Sequence, residues 1–471
     1  MNVERLADGV LLVGYEEVEP PEWIRRAAPD LGAVVLYGQN LPTDADAPRL
    51  GRLLSEEYGA LVATDEEGGD VTRLHYRSGS PVPGNHVLGA VDDVATTTAV
   101  AHRIGSELRA AGIRFDLAPD ADVNVDPENP VIGVRSFGSD PALVSRHTAA
   151  WVLGLQAAGV AACAKHFPGH GDTRADSHHE LPTTRCTEAE WRRDHLPPFV
   201  AAITAGVRAI MTAHVVVPAL DPEGPATVSR RILTDVLRGE LGFDGVVVTD
   251  ALEMAGLRDR YGIAGGAVRA LVAGADALCL GALGGEVRYR EVRDAILAAV
   301  ADKTLPVERL EQAANRVRLL RQWAGEAVPA KDAGLEAARR AAVARGVSPL
   351  AGAPVLIELR HAPNLAVGEA GWDLGGPLAA LGFAPVRTVG ADGVDAAVAG
   401  PDPVVVVGRD VARHDWQRDV WARVRAERPD AVLVDLGLPR PDLLDGAPVV
   451  LVGGAGRPNL RVAAELLVTG S

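Results

Sequence analysis

AACAKH (161–166), RAIMTAH (208–214) and GVVVTD (245–250) are short apolar runs, and the chain between them, at 188–205 and 230–240, carries helical hydrophobic periodicity. Each run is too short for a buried helix and closes on polar residues. Strands separated by helices of about 10 to 15 residues form βαβ units, whose parallel sheet is covered on both faces. The same alternation continues in both directions. GVLLVG (9–14), AVVLY (33–37), LVATD (61–65) and IRFDLAP (113–119) precede these runs and DALCLG (276–281) follows, with helical patterns at 45–58, 97–111 and 143–158. Eight strands in succession predict a closed (β/α)8 TIM-type barrel.

Six of the eight runs finish at or just before polar groups: Gln39-Asn40, Asp65-Glu66-Glu67, the stretch 116–122, Lys165-His166, His214, and Asp250 with Glu253. Barrel chemistry collects at the carboxyl ends of strands, where the βα loops surround the axis. A strand interior would find these charges expensive to bury. For Asp65 and Asp250 the simpler alternative is an N-cap on the following helix, and position alone leaves both readings open.

After Thr304 a helical pattern at 306–323 leads into an Ala-, Arg- and Pro-rich stretch, 324–352, without catalytic pattern. VLIEL (355–359), APVRTV (384–389), VVVVG (404–408), AVLVDLG (431–437) and VVLVGG (449–454), with helices at 415–427 and 459–467, then predict a small α/β sandwich. The expected organisation is a catalytic barrel over 1–325, a linker and helix over 326–350, and an accessory sandwich over 351–471. The turn Gly453-Gly454-Ala455-Gly456 is able to hold an anion on its N–H groups, but it lacks both the GxxxxGK spacing and the dinucleotide fingerprint, so ordinary strand-to-helix turning is preferred.

Composition narrows the partners. The 471 residues carry 47 Lys+Arg against 63 Asp+Glu, a formal charge of −16, which repels phosphate backbones and anionic lipid. Neither nucleic acid nor a membrane is expected as a partner, and no apolar run is long enough to span a bilayer. Cys163 and Cys279 sit in strand-like runs as buried thiols and Cys186 in a polar stretch, so no disulfide framework is expected. The N-terminal apolar run is short, is followed by acids and lacks a small-residue cleavage pattern, which points to a cytoplasmic chain.

The densest polar stretch is KHFPGHGDTRADSHH (165–179), with four histidines, two aspartates and no hydrophobic face. On count, His170, Asp172, Asp176 and His178 suffice for a metal, yet no HExxH-type spacing is present and the glycines set no common face; no metal is assigned. The rival chemistry makes His178 a proton carrier, with Asp176 holding its tautomer, on a loop whose glycines permit movement over a substrate. A glycosidase needs one group to protonate the leaving oxygen and another to attack or to activate water. Asp250, held at a strand end and kept ionised if Lys165 or Arg135 lies near, is the nucleophile candidate.

LVATDEEGGDVTRL, VIGVRSFG, KHFPGHGDTRADSH, MTAHVVVPALDP and GVVVTDALEMAGL, in this order, resemble the motifs of glycoside hydrolase family 3, in particular its bacterial β-N-acetylglucosaminidase branch, over about residues 9–304. The resemblance implies a retaining exo-hydrolase on a (β/α)8-type barrel, often followed by an α/β sandwich, working without cofactor. It implies Asp250 as nucleophile and His178, assisted by Asp176, as acid/base. Asp65, Arg135, Lys165 and His166 are implied to hold the hydroxyls of the terminal sugar, and His214 and Met254 to line the pocket. Elementary chemistry agrees: Asp65 accepts from paired hydroxyls and Arg135 offers a rigid donor fork. The implied substrate carries a terminal β-linked N-acetylglucosamine, from muropeptides or chitin oligosaccharides. A neutral histidine does not repel inorganic phosphate, so phosphorolysis stays open beside hydrolysis, as do a broader β-glucosidase activity and a non-catalytic sugar-binding protein. Two departures stand out. Asp70 occupies a position where relatives usually carry Arg, which loosens the Asp65 loop unless Arg73 offsets it, and the second domain is short.

Overall fold

The structure, a computed structural model, describes residues 2–174, 181–323, 334–361, 371–440 and 446–470. Asp176 and His178 lie outside the described residues. Contacts divide the chain into two compact units.

The first unit, Met1–Glu67, Thr97–Ile132 and Ser136–Asp332, is the barrel. Its strands are β1 (Leu11–Val13), β2 (Ala33–Val35), β3 (Val62–Thr64), β4 (Phe115–Asp116), β5 (Ala161–Phe167), β6 (Ala209–Thr212), β7 (Val246–Val248) and β8 (Leu278–Leu280). Each pairs in parallel with the next in sequence through β7, and β1 also pairs with β8. A bridge between Val248 and Ala277, with the Ala277 N–H donating to the Val247 carbonyl at 3.0 Å, joins β7 to the start of β8 and closes the ring. All eight expected strands form; seven are shorter than the apolar run that announced them, and β5 runs one residue past its own.

Alternate strand positions explain the closure. Leu12, Ala33, Val35, Ala63, Phe115, Ala161, Cys163, Ala209, Met211, Val246, Val248, Ala277 and Cys279 belong to one buried cluster, as expected when side chains of period two fill a small barrel. Val317 and Leu320, on the helix Val307–Gln322, join the same cluster. The start of β8 is set by Asp276, a fully buried carboxylate that accepts from the Val247 N–H at 3.0 Å and from the guanidinium groups of Arg238, Arg309 and Arg316.

The second unit takes in Gly68–Thr96, Gly133–Arg135 and Ala333–Ser471. Its sheet holds β9 (Val343–Arg345), β10 (Val355–Leu359), β11 (Arg387–Val389), β12 (Val404–Gly408), β13 (Val432–Asp435) and β14 (Val449–Leu451), in the order β11-β10-β12-β13-β14-β9. All pairings are parallel except β14 with β9. Val355, Ile357, Val404 and Val406 pack with Trp421 and Val424 of the helix Asp415–Glu427. Leu356, Val405 and Val407 point the other way, to Leu460, Ala463 and Leu467 of the helix Arg457–Thr469. Helices on both faces make it an α/β sandwich. Strand β9 falls within the stretch expected as linker and helix; Val343 and Arg345 are exposed on this edge and carry no apolar pattern.

Asp70 is accounted for inside this unit. Its carboxylate pairs with Arg409 at 2.7 Å and accepts the Ala455 N–H at 2.6 Å. The anion that the glycine turn 453–456 binds is therefore the chain's own side chain. Gly69 makes the approach possible, because a Cβ there would lie 2.5 Å from the Gly84 Cα.

Replacing Asp276 by Ala should leave three guanidinium groups crowded around a void and cost about 3–5 kcal/mol of stability; urea denaturation that matches wild type would show that β8 is anchored otherwise.

Candidate active site

Residues from several carboxyl strand ends of the barrel meet in hydrogen-bond contact. The Lys165 ammonium, on β5, lies 2.7 Å from Asp65 Oδ1, just past β3, and 2.7 Å from Glu67 Oε1. Lys165 and Glu67 side chains are 3% and 2% exposed, while Asp65 keeps 18%. A buried cation is stable only when paired, and here the more open carboxylate is the one turned toward solvent.

The next residue on β5 is held separately. Asp122 Oδ2 accepts from His166 Nδ1 at 2.7 Å, and Asp122 Oδ1 accepts the His170 N–H at 2.7 Å. Burial pushes the Asp122 carboxyl up, but the charge and hydrogen bond of His166, with His170, outweigh it and hold the group below the ordinary range. The carboxylate fixes the proton of His166 on Nδ1.

Asp250 follows β7 by two positions and is half-buried. It is not an N-cap: the next helix, Ala255–Tyr261, has Met254 as its cap. Asp65 likewise caps nothing, since the following helix, Asn85–Val91, is preceded by Gly84. His214 is buried, with Nε2 3.0 Å from the Ala251 carbonyl and Nδ1 2.8 Å from Thr227 Oγ1. Because a carbonyl only accepts, Nε2 donates there. The imidazole thus grips the peptide between Ala251 and Leu252, one residue beyond Asp250. Met254 is buried, and its N–H donates to the same Ala251 carbonyl at 3.1 Å. Arg135, in the second unit, sits buried in the short turn Gly133–Arg135, and its carbonyl accepts from Asn85 Nδ2 at 2.8 Å.

The glycines of HFPGHG are placed for fit. A Cβ on Gly171 would stand 1.8 Å from the Val123 carbonyl oxygen, and one on Gly169, at φ +123°, 2.9 Å from the His195 Cβ. Close packing against neighbours, a role the sequence analysis did not give them, explains both positions.

Several residues of this region have no assigned role in the sequence analysis. Glu67 is the second partner of Lys165, and Asp122 orients His166. Asp116, fully buried at the end of β4, accepts the Glu66 N–H at 2.9 Å, and burial pushes its carboxyl well above the ordinary range. Burial likewise raises Glu253, whose carboxylate occupies the space a side chain on Gly281 would need. All four stand at or just after strand ends, so the strand-end rule already flags them; only contacts separate roles.

Comparison with known proteins bears on the family and the fold. The sequence profile of the Glycosyl hydrolase family 3 N terminal domain matches residues 15–320. Beta-hexosaminidase A of Pseudoalteromonas piscicida is 38% identical over 270 residues, 52% of this chain and 45% of that protein, so the match spans less than half of that relative's length. A beta-hexosaminidase of Chromobacterium violaceum is 36% identical over 332 residues, 68% of this chain and 89% of the relative. The solved structure of a glycoside hydrolase family 3 beta-N-acetylglucosaminidase from Paenibacillus sp. FPU-7 is 33% identical, superposes with a TM-score of 0.87, and is matched over 99% of this chain and 97% of that one.

Lys165→Met should leave Asp65 and Glu67 repelling each other and lower stability by about 3–5 kcal/mol, measured by chemical denaturation; an unchanged midpoint would show that the cluster carries no net interaction. His170 gives a pH signature. Burial holds its imidazole down to about 4, whereas an unfolded histidine titrates near 6.5. The unfolded chain therefore binds this proton first, and native stability should fall as pH drops from about 6.5 toward 4, by about 3 kcal/mol. The fall should be shallower in His170→Gln, and parallel stability curves would refute it.

Proposed function

The chain belongs to glycosyl hydrolase family 3, and from that premise we propose that it is a retaining exo-β-N-acetylglucosaminidase that releases terminal N-acetylglucosamine from muropeptide- or chitin-derived oligosaccharides. The observation that carries this reading is the setting of Asp250. It stands just past a barrel strand, caps no helix, and is followed by a peptide clamped by the buried His214. A nucleophile needs that kind of rigid placement to be within reach of an anomeric carbon.

In the proposed reaction Asp65 and the oriented His166 hold the hydroxyls of the terminal sugar, with Lys165 fixing Asp65. His178, its ring held by Asp176, donates a proton to the leaving oxygen while Asp250 attacks C1 through an oxocarbenium-like state. The bond to the aglycone breaks and an ester bond from Asp250 to C1 forms. Water, giving its proton to His178, then attacks C1 and frees the sugar with its original configuration. His214 and Met254 act as positioning residues for the backbone just after Asp250, through the Ala251 carbonyl. A histidine acid needs little tuning, since its ordinary pKa is already near neutral. Burial raises the carboxyls of Asp116 and Glu253, but with His178 as proton donor neither is given the part of the acid. Among the described residues no helix is long and apolar enough to cross a membrane, and cytoplasmic processing of soluble oligosaccharides is the setting proposed.

Asp250→Ala should lower turnover of an aryl N-acetyl-β-glucosaminide by at least about 10³-fold; wild-type turnover would remove Asp250 from the mechanism. His178→Ala should slow substrates with poor leaving groups by about 10²–10⁴-fold and activated aryl glycosides much less. Products from chitobiose, an anhydromuropeptide and an aryl glucoside, each with and without phosphate, define the substrate. Free N-acetylglucosamine supports the proposal; a sugar 1-phosphate, or preference for the plain glucoside, contradicts it.

A further inference from the structure

Three metal-binding side chains meet beside the segment that contains Asp176 and His178. Asp172 precedes that segment, Cys186 follows it, and His195 ends the helical turn Trp191–His195. One ligand atom from each lies within 4.8 Å of the others. Asp172 Oδ2 is 3.8 Å from His195 Nε2, too far for a hydrogen bond. His195 is 4% exposed, and its Nδ1 has no hydrogen-bond partner; neither has the buried Oδ1 of Asp172, whose carboxylate otherwise accepts from the Arg185 N–H and the Cys186 thiol.

Burying an imidazole and a carboxylate with atoms left unsatisfied costs free energy that native structures rarely tolerate without a reason. Nothing in the proposed reaction uses these groups. The enclosure is also built. Gly169 lacks the side chain that would collide with His195, and its ideal Cβ position lies 3.2 Å from the imidazole Nδ1. After the segment, Thr184 donates its N–H to the Val216 carbonyl at 3.0 Å, so the chain leading to Cys186 is tied to the stretch that follows β6. The set differs from the one the spacing of the loop offers on count. His170 turns to Thr173 Oγ1 at 2.7 Å, whereas Asp172 faces partners far beyond the motif.

We propose that Asp172, Cys186 and His195 form a binding site for a zinc-like divalent transition metal, one oxygen, one sulfur and one nitrogen ligand, with water in the fourth position. A thiolate with an imidazole selects zinc or cobalt over magnesium or calcium, which require oxygen shells. One carboxylate and one thiolate neutralise a divalent charge. As the metal–sulfur bond forms, the Cys186 thiol releases its proton to water. The other described cluster of this kind, Asp120, Asp122 and His166, contains a short hydrogen bond from His166 to Asp122 and belongs to the candidate active site. A metal at the new site ties the chain before 175–180 to the chain after it, and both to the helix bearing His195. Its role is structural support of the segment, independent of the chemistry assigned to Asp250.

Full-length protein stripped with a chelator and titrated with Co(II) tests this directly. The site predicts a thiolate-to-cobalt charge-transfer band that saturates at about one metal per chain and is displaced by Zn(II). The band should vanish in Cys186→Ser, persist in Cys163→Ala, and require at least about tenfold more cobalt in His195→Asn. X-ray absorption of the zinc-loaded wild type needs no variant: it should show one sulfur near about 2.3 Å beside nitrogen and oxygen at about 2.0–2.2 Å. Absence of the band in wild type, its survival in Cys186→Ser, an unchanged cobalt requirement in His195→Asn, or a zinc shell without sulfur overturns the site.

Discussion

An ammonium group taken out of water between two carboxylates must keep both, because each lost partner leaves an uncompensated charge in a poorly solvated place. At the mouth of the barrel that group is Lys165, shared by Asp65 and Glu67. Its position depends on β5 being registered against its neighbours, and that register comes from the small apolar residues, Ala161 and Cys163, buried in the barrel cluster. The cluster in turn pins the turn after β3. With that turn held, Asp65 keeps its partly open carboxylate facing outward at a set distance from the β5 backbone, and His166, one residue on, is locked by Asp122. The acidic surface, the small-residue core and the polar strand ends are parts of one arrangement: a tightly closed barrel whose carboxyl ends concentrate charge.

Much of this was legible in the sequence, and the reason is periodicity. Eight apolar runs at helical separation announce eight parallel strands, and all but the β5 run are two to five residues longer than their strands. Polar residues immediately after the runs mark the candidate site, which is why Asp65, Lys165, His166, His214 and Asp250 could be named in advance. Partnership was not legible. Nothing in the order of residues says that Lys165 takes Glu67 as well as Asp65, that Asp122 orients His166, or that His214 grips the Ala251 carbonyl instead of simply lining a wall. These contacts join residues about 40 to 100 positions apart, and only the barrel register brings them together. Strand β9 escaped for a different reason: three residues on an exposed edge carry no pattern to read.

Asp70 and the glycines teach the same lesson about substitutions. A missing positive charge suggested a loosened loop; the carboxylate instead found Arg409 and the Ala455 N–H within its own unit. Gly169 and Gly171 suggested freedom, while their surroundings leave no room for a Cβ at either. In both cases a neighbour distant in sequence decides what the residue does. The same holds for Asp172, whose partners Cys186 and His195 lie well beyond the motif that contains it.

The central claim is that Asp250 becomes covalently attached to the sugar. An activated 5-fluoro N-acetylglucosaminide, which slows release of a glycosyl-enzyme, followed by proteolysis and mass spectrometry, tests it most directly. The account predicts one fluorosugar per chain on the peptide that contains Asp250, lost on its replacement by Ala. An inactivated enzyme labelled at another carboxylate, or steady turnover of the reagent with no adduct and inverted product, would contradict it.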